Sequence, residues 1–260
     1  MTSILDHPLI SGRYFFPRSE APPAAYRVDV KVDGASLACG AYRPHTDAPT
    51  VLVFHGNGEV VADYVEGFGI ALANAGLNAF FAEYRGYGGS TGEPSLVRML
   101  DDVEAVLDAV GVPDEQLVVY GRSVGSIYAI EAAARRPGVR ALVIESGISD
   151  PLSRVLIRVQ PWELGVTLDT LRDEAGRTLN HQAKLAKYPG PVLVLHAAND
   201  DMVLPSHARA NAAWSSRSEL VLFERGDHNT IHAYNLDAIV ASLVRVAALT
   251  PIAAPGTSQG

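Results

Sequence analysis

The spacing G-x-S-x-G occurs twice in this chain, as Gly121-Arg122-Ser123-Val124-Gly125 and as Gly88-Gly89-Ser90-Thr91-Gly92. A serine hydroxyl is a weak nucleophile by itself. It attacks a carbonyl when a base takes its proton and a carboxylate orients that base. The pattern serves this chemistry when a strand enters the serine and a helix leaves directly after it. The sharp turn then lifts Oγ above the sheet, and the helix N-terminus favours developing negative charge. The copy at 121–125 has that context. LVVY runs into it, and SIYAIEAAARR follows and stops at Pro137. The copy at 88–92 leaves a glycine-rich loop, and Pro94 stands two residues after Gly92. Ser123 is the candidate nucleophile, its structural alternative being a helix N-cap; Ser90 reads as a loop serine.

A base for Ser123 belongs in a loop at the C-terminal end of a late strand. Of the eight histidines, His228 and His232 follow the last apolar run. His228 lies in Gly226-Asp227-His228-Asn229, just before the final helical stretch. His232, one helical turn on, reads as a surface residue of that helix. The acid belongs at the end of the preceding strand, where VLVLHAANDDMVLP offers Asp200 and Asp201. Adjacent side chains point in different directions, so one of them orients His228; Asp200 is preferred. His196 reads as a packing residue. The tetrahedral intermediate also needs backbone N–H donors for its oxyanion. Val124, the residue after the nucleophile, supplies one. The loop His55-Gly56-Asn57-Gly58 can supply the other from Asn57, while the His55 imidazole reads as a brace for that loop.

These residues need a scaffold with strand ends at one side. Tyr26–Val32 and Ala35–Tyr42 flank Asp33-Gly34, a hairpin turn signal. Near-continuous apolar runs then recur at Thr50–Phe54, Leu77–Ala82, Leu117–Tyr120, Ala141–Ile144, Val192–Leu195 and Leu220–Phe223. Strands buried on both faces look like this. Helical stretches are expected at about 59–75, 94–110, 124–135, 206–215 and 231–248. The alternation predicts an α/β fold, a doubly wound, mostly parallel sheet with an antiparallel N-terminal hairpin. Between the strands at 141 and 192 the chain is longer than one crossover needs. Leu152, Val155, Leu156 and Val159 fall at helical spacing there. The interval at about 151–190 is either a small helical cap over the strand ends or a pair of ordinary surface helices. Residues 1–25, with four prolines and no period, read as an N-terminal arm; 26–250 form the expected domain, and 251–260 a disordered tail.

Composition narrows the partners. The chain has 260 residues, 48% of them hydrophobic and 19% charged, which excludes bulk disorder. Its 21 basic and 29 acidic residues leave a net charge of −8 with no Lys/Arg block, so nucleic acid is not an expected partner. No apolar run is long enough to span a membrane. The single cysteine, Cys39, excludes an intramolecular disulfide and reads as an apolar filler. No leader is expected at Met1–Pro8, which carries Asp6 and no basic run. The cytoplasm is the expected compartment.

Taken in order, HGNG (55–58), YRGYGGSTGEPS (84–95), GRSVGS (121–126), HAANDDMVLP (196–205) and GDHN (226–229) resemble the α/β-hydrolase superfamily. Within it the chain is similar to the BEM46-like and serine-aminopeptidase-like small-cap hydrolases, over about residues 26–248. The resemblance implies Ser123 as nucleophile, His228 as base, and Val124 and Asn57 at the oxyanion positions. Counting from the strand-end histidine it points to Asp200 as the acid; counting back from the following proline it points to Asp201. Glu83 stands where the family commonly has Asp, a departure expected to affect loop packing. Tyr84 and Arg85 are expected to brace the site loops. The implied activity is a serine hydrolase cleaving a carboxylic ester of a small molecule through an acyl-enzyme, with no cofactor or metal. Thioesters and amides stay open, as do a non-hydrolytic enzyme of the same fold and a binding protein. Oligomeric state is not legible.

Overall fold

The computed structural model describes residues 3–249; the expected tail at 251–260 lies outside the described residues. Eight strands form one sheet: β1 (Arg27–Val32), β2 (Ala35–Tyr42), β3 (Thr50–Phe54), β4 (Asn78–Ala82), β5 (Leu117–Arg122), β6 (Ala141–Glu145), β7 (Val192–Ala197) and β8 (Ser218–Phe223). Their spatial order is β1-β2-β4-β3-β5-β6-β7-β8. β1 and β2 pair antiparallel, β2 joins β4 antiparallel, and every pairing from β4 to β8 is parallel.

The helices are α1 (Pro8–Tyr14), α2 (Ala62–Val65), α3 (Phe68–Asn74), α4 (Arg98–Val110), α5 (Gly125–Arg135), α6 (Pro151–Leu156), α7 (Leu168–Thr178), α8 (His181–Lys187), α9 (Pro205–Trp214) and α10 (Ile231–Ala247). They cover both faces. Successive strand residues point to opposite sides, so Val51 and Val53 join a core with Phe68, Leu72 and Leu243, while Leu52 and Phe54 join the other core with Tyr128 and Val106. Burying one such side chain stabilises the fold by about 1.5–3 kcal/mol, which is why the inner strands read as unbroken apolar runs. Among the described residues no helix is long and apolar enough to cross a membrane.

Three expectations are adjusted. The stretch expected as one helix over 59–75 is two short helices broken at Glu66-Gly67, because glycine in a helix interior carries the largest backbone entropy cost. The helix expected from 94 begins at Arg98, since Pro94 packs on Gly86 within a loop. The N-terminal segment is also built in more firmly than its prolines suggest. It forms a 3-10 turn (Ile4–Asp6) and α1, and buries Leu5, Ile10, Tyr14 and Phe15 in the larger core. Asp6 accepts from the Val97 and Arg98 N–H groups at the start of α4, and Glu174 of α7 accepts from the Ile4 N–H.

The order of the strands decides where a ligand can sit. From β3 the chain moves outward to β4, then returns past β3 to β5. At such a switch the connections leave in opposite directions and open a crevice at the strand C-termini. The loops after β3 and β5 meet at that crevice, and those after β7 and β8 reach it from one side.

Candidate active site

Ser123 sits between β5 and α5 with φ +52°, in the left-handed region. A non-glycine residue held there costs about 1–2 kcal/mol, and the neighbouring contacts hold it. The Ser123 N–H donates to the Glu145 carbonyl (2.9 Å), and the Ser126 hydroxyl donates to the Ser123 carbonyl (2.6 Å). The two glycines of the motif permit close approach. A Cβ at Gly125 would lie 2.1 Å from the Phe54 carbonyl oxygen, and one at Gly121 would lie 2.5 Å from the Ala129 Cβ. Any side chain there pushes α5 away from the ends of β3 and β5.

The structure brings Ser123, His228 and Asp200 together. His228 Nε2 lies 3.0 Å from Ser123 Oγ, and His228 Nδ1 lies 2.8 Å from Asp200 Oδ2. All three are buried. Asp200 closes the turn after β7, where its Oδ1 accepts from the Met202 N–H (3.0 Å) and the Val203 N–H (2.7 Å). Burial acts to raise its carboxyl, but the His228 hydrogen bond and charge and the Val203 N–H outweigh it and hold the group below the usual carboxylate range. Asp201 is exposed, and the His228 Nδ1 hydrogen bond goes to Asp200. His196 is buried and hydrogen-bonds the Val203 carbonyl (2.7 Å), fixing the same turn. Burial lowers its pKa, so its imidazole is neutral. His228 is placed by an aspartate turn: Asp227 Oδ1 accepts from the N–H groups of Asn229 and Thr230, both at 2.9 Å.

Asn57 lies at the same crevice, and the N-terminal segment holds it. Its Oδ1 accepts from the Phe16 N–H (2.9 Å) and the Tyr87 hydroxyl (2.8 Å), and its Nδ2 donates to the Tyr14 carbonyl (2.5 Å). Among the described residues, neither the Asn57 nor the Val124 N–H has a hydrogen-bond acceptor. These residues border a pocket of about 160 Å³. Tyr14, Phe16, Ile157 after α6, Met202 and Val203 line it together with Ser123 and His228. Of the interval at 151–190, α6 and the turn after it contribute Arg154, Ile157 and Arg158 to the pocket lining, whereas α8 packs on α5 and α9.

A family model described as "Serine aminopeptidase, S33" matches residues 45–169. The chain is 28% identical over 208 residues to "Alpha/beta hydrolase domain-containing protein 17B" of Xenopus tropicalis, covering 77% of this chain and 68% of that one. It is 29% identical over 203 residues to "Alpha/beta hydrolase domain-containing protein WAV2" of Arabidopsis thaliana, covering 71% and 65% respectively. Its fold superposes on Est1E from Butyrivibrio proteoclasticus, solved with ferulic acid bound, with a TM-score of 0.70 at 20% identity, covering 84% of this chain and 96% of that one. The chain belongs to the α/β-hydrolase superfamily. It is a hydrolase enzyme.

Beneath its site this α/β-hydrolase carries a buried ionic network that sequence spacing did not reveal. Arg122, the variable residue of the motif before Ser123, donates to the His228 carbonyl (2.6 Å), pairs with Glu59, and lies 3.2 Å from Glu145 Oε1. Glu59 in turn accepts from the Gly56 N–H (2.6 Å) and the Tyr64 hydroxyl (2.6 Å). One guanidinium thus ties the loop of the base to the loop of Asn57. Glu145, at the end of β6, is fully buried and also accepts from Tyr120 and His232 (2.9 Å to the latter). Burial would raise its carboxyl, but His232, Arg122 and Tyr120 pull it down to about 2. His232 is therefore not a free surface residue of α10: it is half-buried and paired with Glu145. It lies against Phe68, and although burial opposes its charged form, the Glu145 carboxylate raises its pKa.

The adjacent α/β-hydrolase loops are braced as well. His55 Nε2 lies 2.7 Å from Glu83, whose other oxygen accepts from the Val61 N–H (2.9 Å). The Tyr84 hydroxyl donates to the His55 carbonyl (2.7 Å), and Arg85 forms a two-pronged buried pair with Asp102 (2.6 Å each). Cys39 is buried beside them, accepts from the Glu83 N–H, and has its thiol pushed up to about 12 by burial.

Proposed function

We propose that this α/β-hydrolase is a serine hydrolase that cleaves carboxylic esters through an acyl-enzyme. The observation that carries this reading is the relay from Asp200 Oδ2 through His228 to Ser123 Oγ, with contacts of 2.8 and 3.0 Å. Asp200 holds His228 with its proton on Nδ1, which leaves Nε2 free to accept the Ser123 proton as Oγ attacks the carbonyl. The Val124 and Asn57 N–H groups, which have no acceptor among the described residues, receive the oxyanion. His228 then protonates the leaving alcohol, and a water activated by the same imidazole releases the acid.

An ester is favoured by the solved neighbours, among them an esterase from Rhodococcus sp. with a TM-score of 0.66. The second reading is amide cleavage in a small peptide, favoured by the serine aminopeptidase description of the matched family model. A compartment that keeps the thiol of Cys39 reduced, such as the cytoplasm, fits the absence of any disulfide partner in the sequence. The test is covalent labelling with a fluorophosphonate, followed by a panel of matched esters, thioesters and amides. Modification at Ser123 with ester turnover supports the proposal. A folded protein that resists the probe and turns over no ester refutes it.

A further inference from the structure

The geometry points to an ester substrate that carries an anionic group, a carboxylate or phosphate, held by Arg154 and Arg158. This inference rests on the serine hydrolase reading and names its substrate class. Both arginines line the pocket above Ser123, Arg154 from α6 and Arg158 from the turn after it. Neither enters an ion pair among the described residues. Among those residues the pocket lining holds one carboxylate, Glu59. That group is already committed to Arg122, to the Tyr64 hydroxyl and to the Gly56 N–H. The remaining charge of the pocket is therefore positive, in a chain whose net charge is −8.

The guanidinium of Arg158 lies 5.2 Å from the centre of the Phe16 ring. Stacking of this kind holds the planar group without using its N–H donors. The Arg158 carbonyl accepts from Arg13, whose guanidinium also pairs with Glu163, so the backbone of the turn is tied down from outside the pocket. What remains is a fork of donors resting on the Phe16 ring, with no ion-pair partner among the described residues. Apolar walls at Tyr14, Ile157 and Val203 suit the chain of the substrate, and the arginines suit its charged end.

The experiment uses esters of equal length whose distal end is a carboxylate, a phosphate or an uncharged amide, placed on the acyl side in one set and on the alcohol side in another. For the wild-type enzyme, kcat/KM for an anionic member of at least one set should exceed that of its neutral partner by roughly tenfold or more. In Arg154→Gln/Arg158→Gln that ratio should fall to about one, and raising the salt with wild type should shrink it as well. Which anion and which side gives the larger ratio identifies the source. Ratios within about twofold in both sets, or a preference that survives the double substitution, overturn the anion site and leave the hydrolase reading intact. If no ester is turned over and Ser123 resists the fluorophosphonate, the hydrolase reading is what fails. The anion site is then decided by equilibrium dialysis of the matching non-hydrolysable amides: tighter binding of the anionic amide upholds it, and equal binding overturns it.

Discussion

The two G-x-S-x-G segments share a five-residue pattern and nothing else. At 121–125 the serine directly follows a central strand, has φ +52°, and contacts an imidazole at 3.0 Å. At 88–92 the serine lies in a loop beside the sheet edge and takes part in holding that edge. The Ser90 hydroxyl accepts from the Ala38 N–H (2.8 Å), Thr91 Oγ1 accepts from the Ser36 N–H (2.9 Å), and the Thr91 N–H donates to the Ser36 carbonyl (2.9 Å). β4 pairs with β2 only over Ala79–Phe81, opposite Gly40–Tyr42. The Ser90-Thr91 pair supplies hydrogen bonds to β2 beyond the place where β4 stops. The same residue types thus present a hydroxyl to a crevice in one copy and consume it in the backbone in the other. What separates them is the strand and helix on either side.

The sharpest break of this comparison is removal of each hydroxyl. Ser123→Ala should lower ester turnover by on the order of 10⁴–10⁶-fold, as deletions of catalytic nucleophiles do. Steady-state kinetics on the purified variant reads the effect, and turnover near the wild-type rate would remove Ser123 from the mechanism. Next comes the acid. Asp200→Asn should cost on the order of 10⁴-fold in kcat, because the imidazole loses the tautomer that leaves Nε2 free. Asp201→Asn should stay within about twofold of wild type. A larger loss at Asp201 would mean that the turn rearranges in solution to present the other carboxylate.

The inner strands were legible because a strand buried on both faces must be apolar throughout, and β3, β6 and β7 show no exposed position. The elbow was legible because its context is local: LVVY, two glycines and a helix are neighbours in the chain. Contacts between distant loops left no such trace. Nothing in the spacing of residues 59, 122, 145 and 228 announces that one guanidinium joins them, since the reach of an arginine is set by the fold. The clamp of Tyr14 and Phe16 on Asn57 was hidden for a related reason. Its segment is proline-rich and aperiodic, so its buried side chains follow no helical or strand period. The choice between Asp200 and Asp201 stayed open in the sequence because neighbouring carboxylates are chemically equal; the turn that takes the Met202 and Val203 N–H groups onto Asp200 turns that residue inward.

Both segments lie against buried charge, but the charge at Ser123 joins the loop of the base to the loop of Asn57, and two substitutions probe that. Arg122→Lys keeps the charge and loses the fork that reaches His228 and Glu59 together. A small displacement of base and oxyanion loop should lower kcat by about 10²-fold with KM changed by less than about threefold. A rise in KM at constant kcat would assign Arg122 to substrate binding. Glu145→Gln tests the ionic contribution through pH. The Glu145 carboxyl, held near 2 against an ordinary 4.5, stabilises the fold fully above its unfolded value and loses that contribution as pH falls from 4.5 through 2. The Tm of wild type should therefore exceed that of the variant at pH 6, and the gap should narrow as pH falls through that window. A gap independent of pH would show that packing, and not charge, is what the glutamate contributes.

The smallest effect belongs to Ser90, and it is the one that most directly separates the two copies. Ser90→Ala removes the acceptor for the Ala38 N–H on a strand whose residue 38 is fully buried. An amide left without a partner there costs roughly 1–3 kcal/mol, while the hydrogen bonds of Thr91 to Ser36 keep the loop attached. Chemical denaturation should show a loss of that size, with kcat/KM on the preferred ester within about twofold of wild type. Ser90→Thr, which restores a hydroxyl, should recover part of the stability. If Ser90→Ala instead lowered turnover a hundredfold without loss of stability, the loop at 88–92 would have to reach the crevice during the reaction, and the division between a chemical copy and a structural copy would fail.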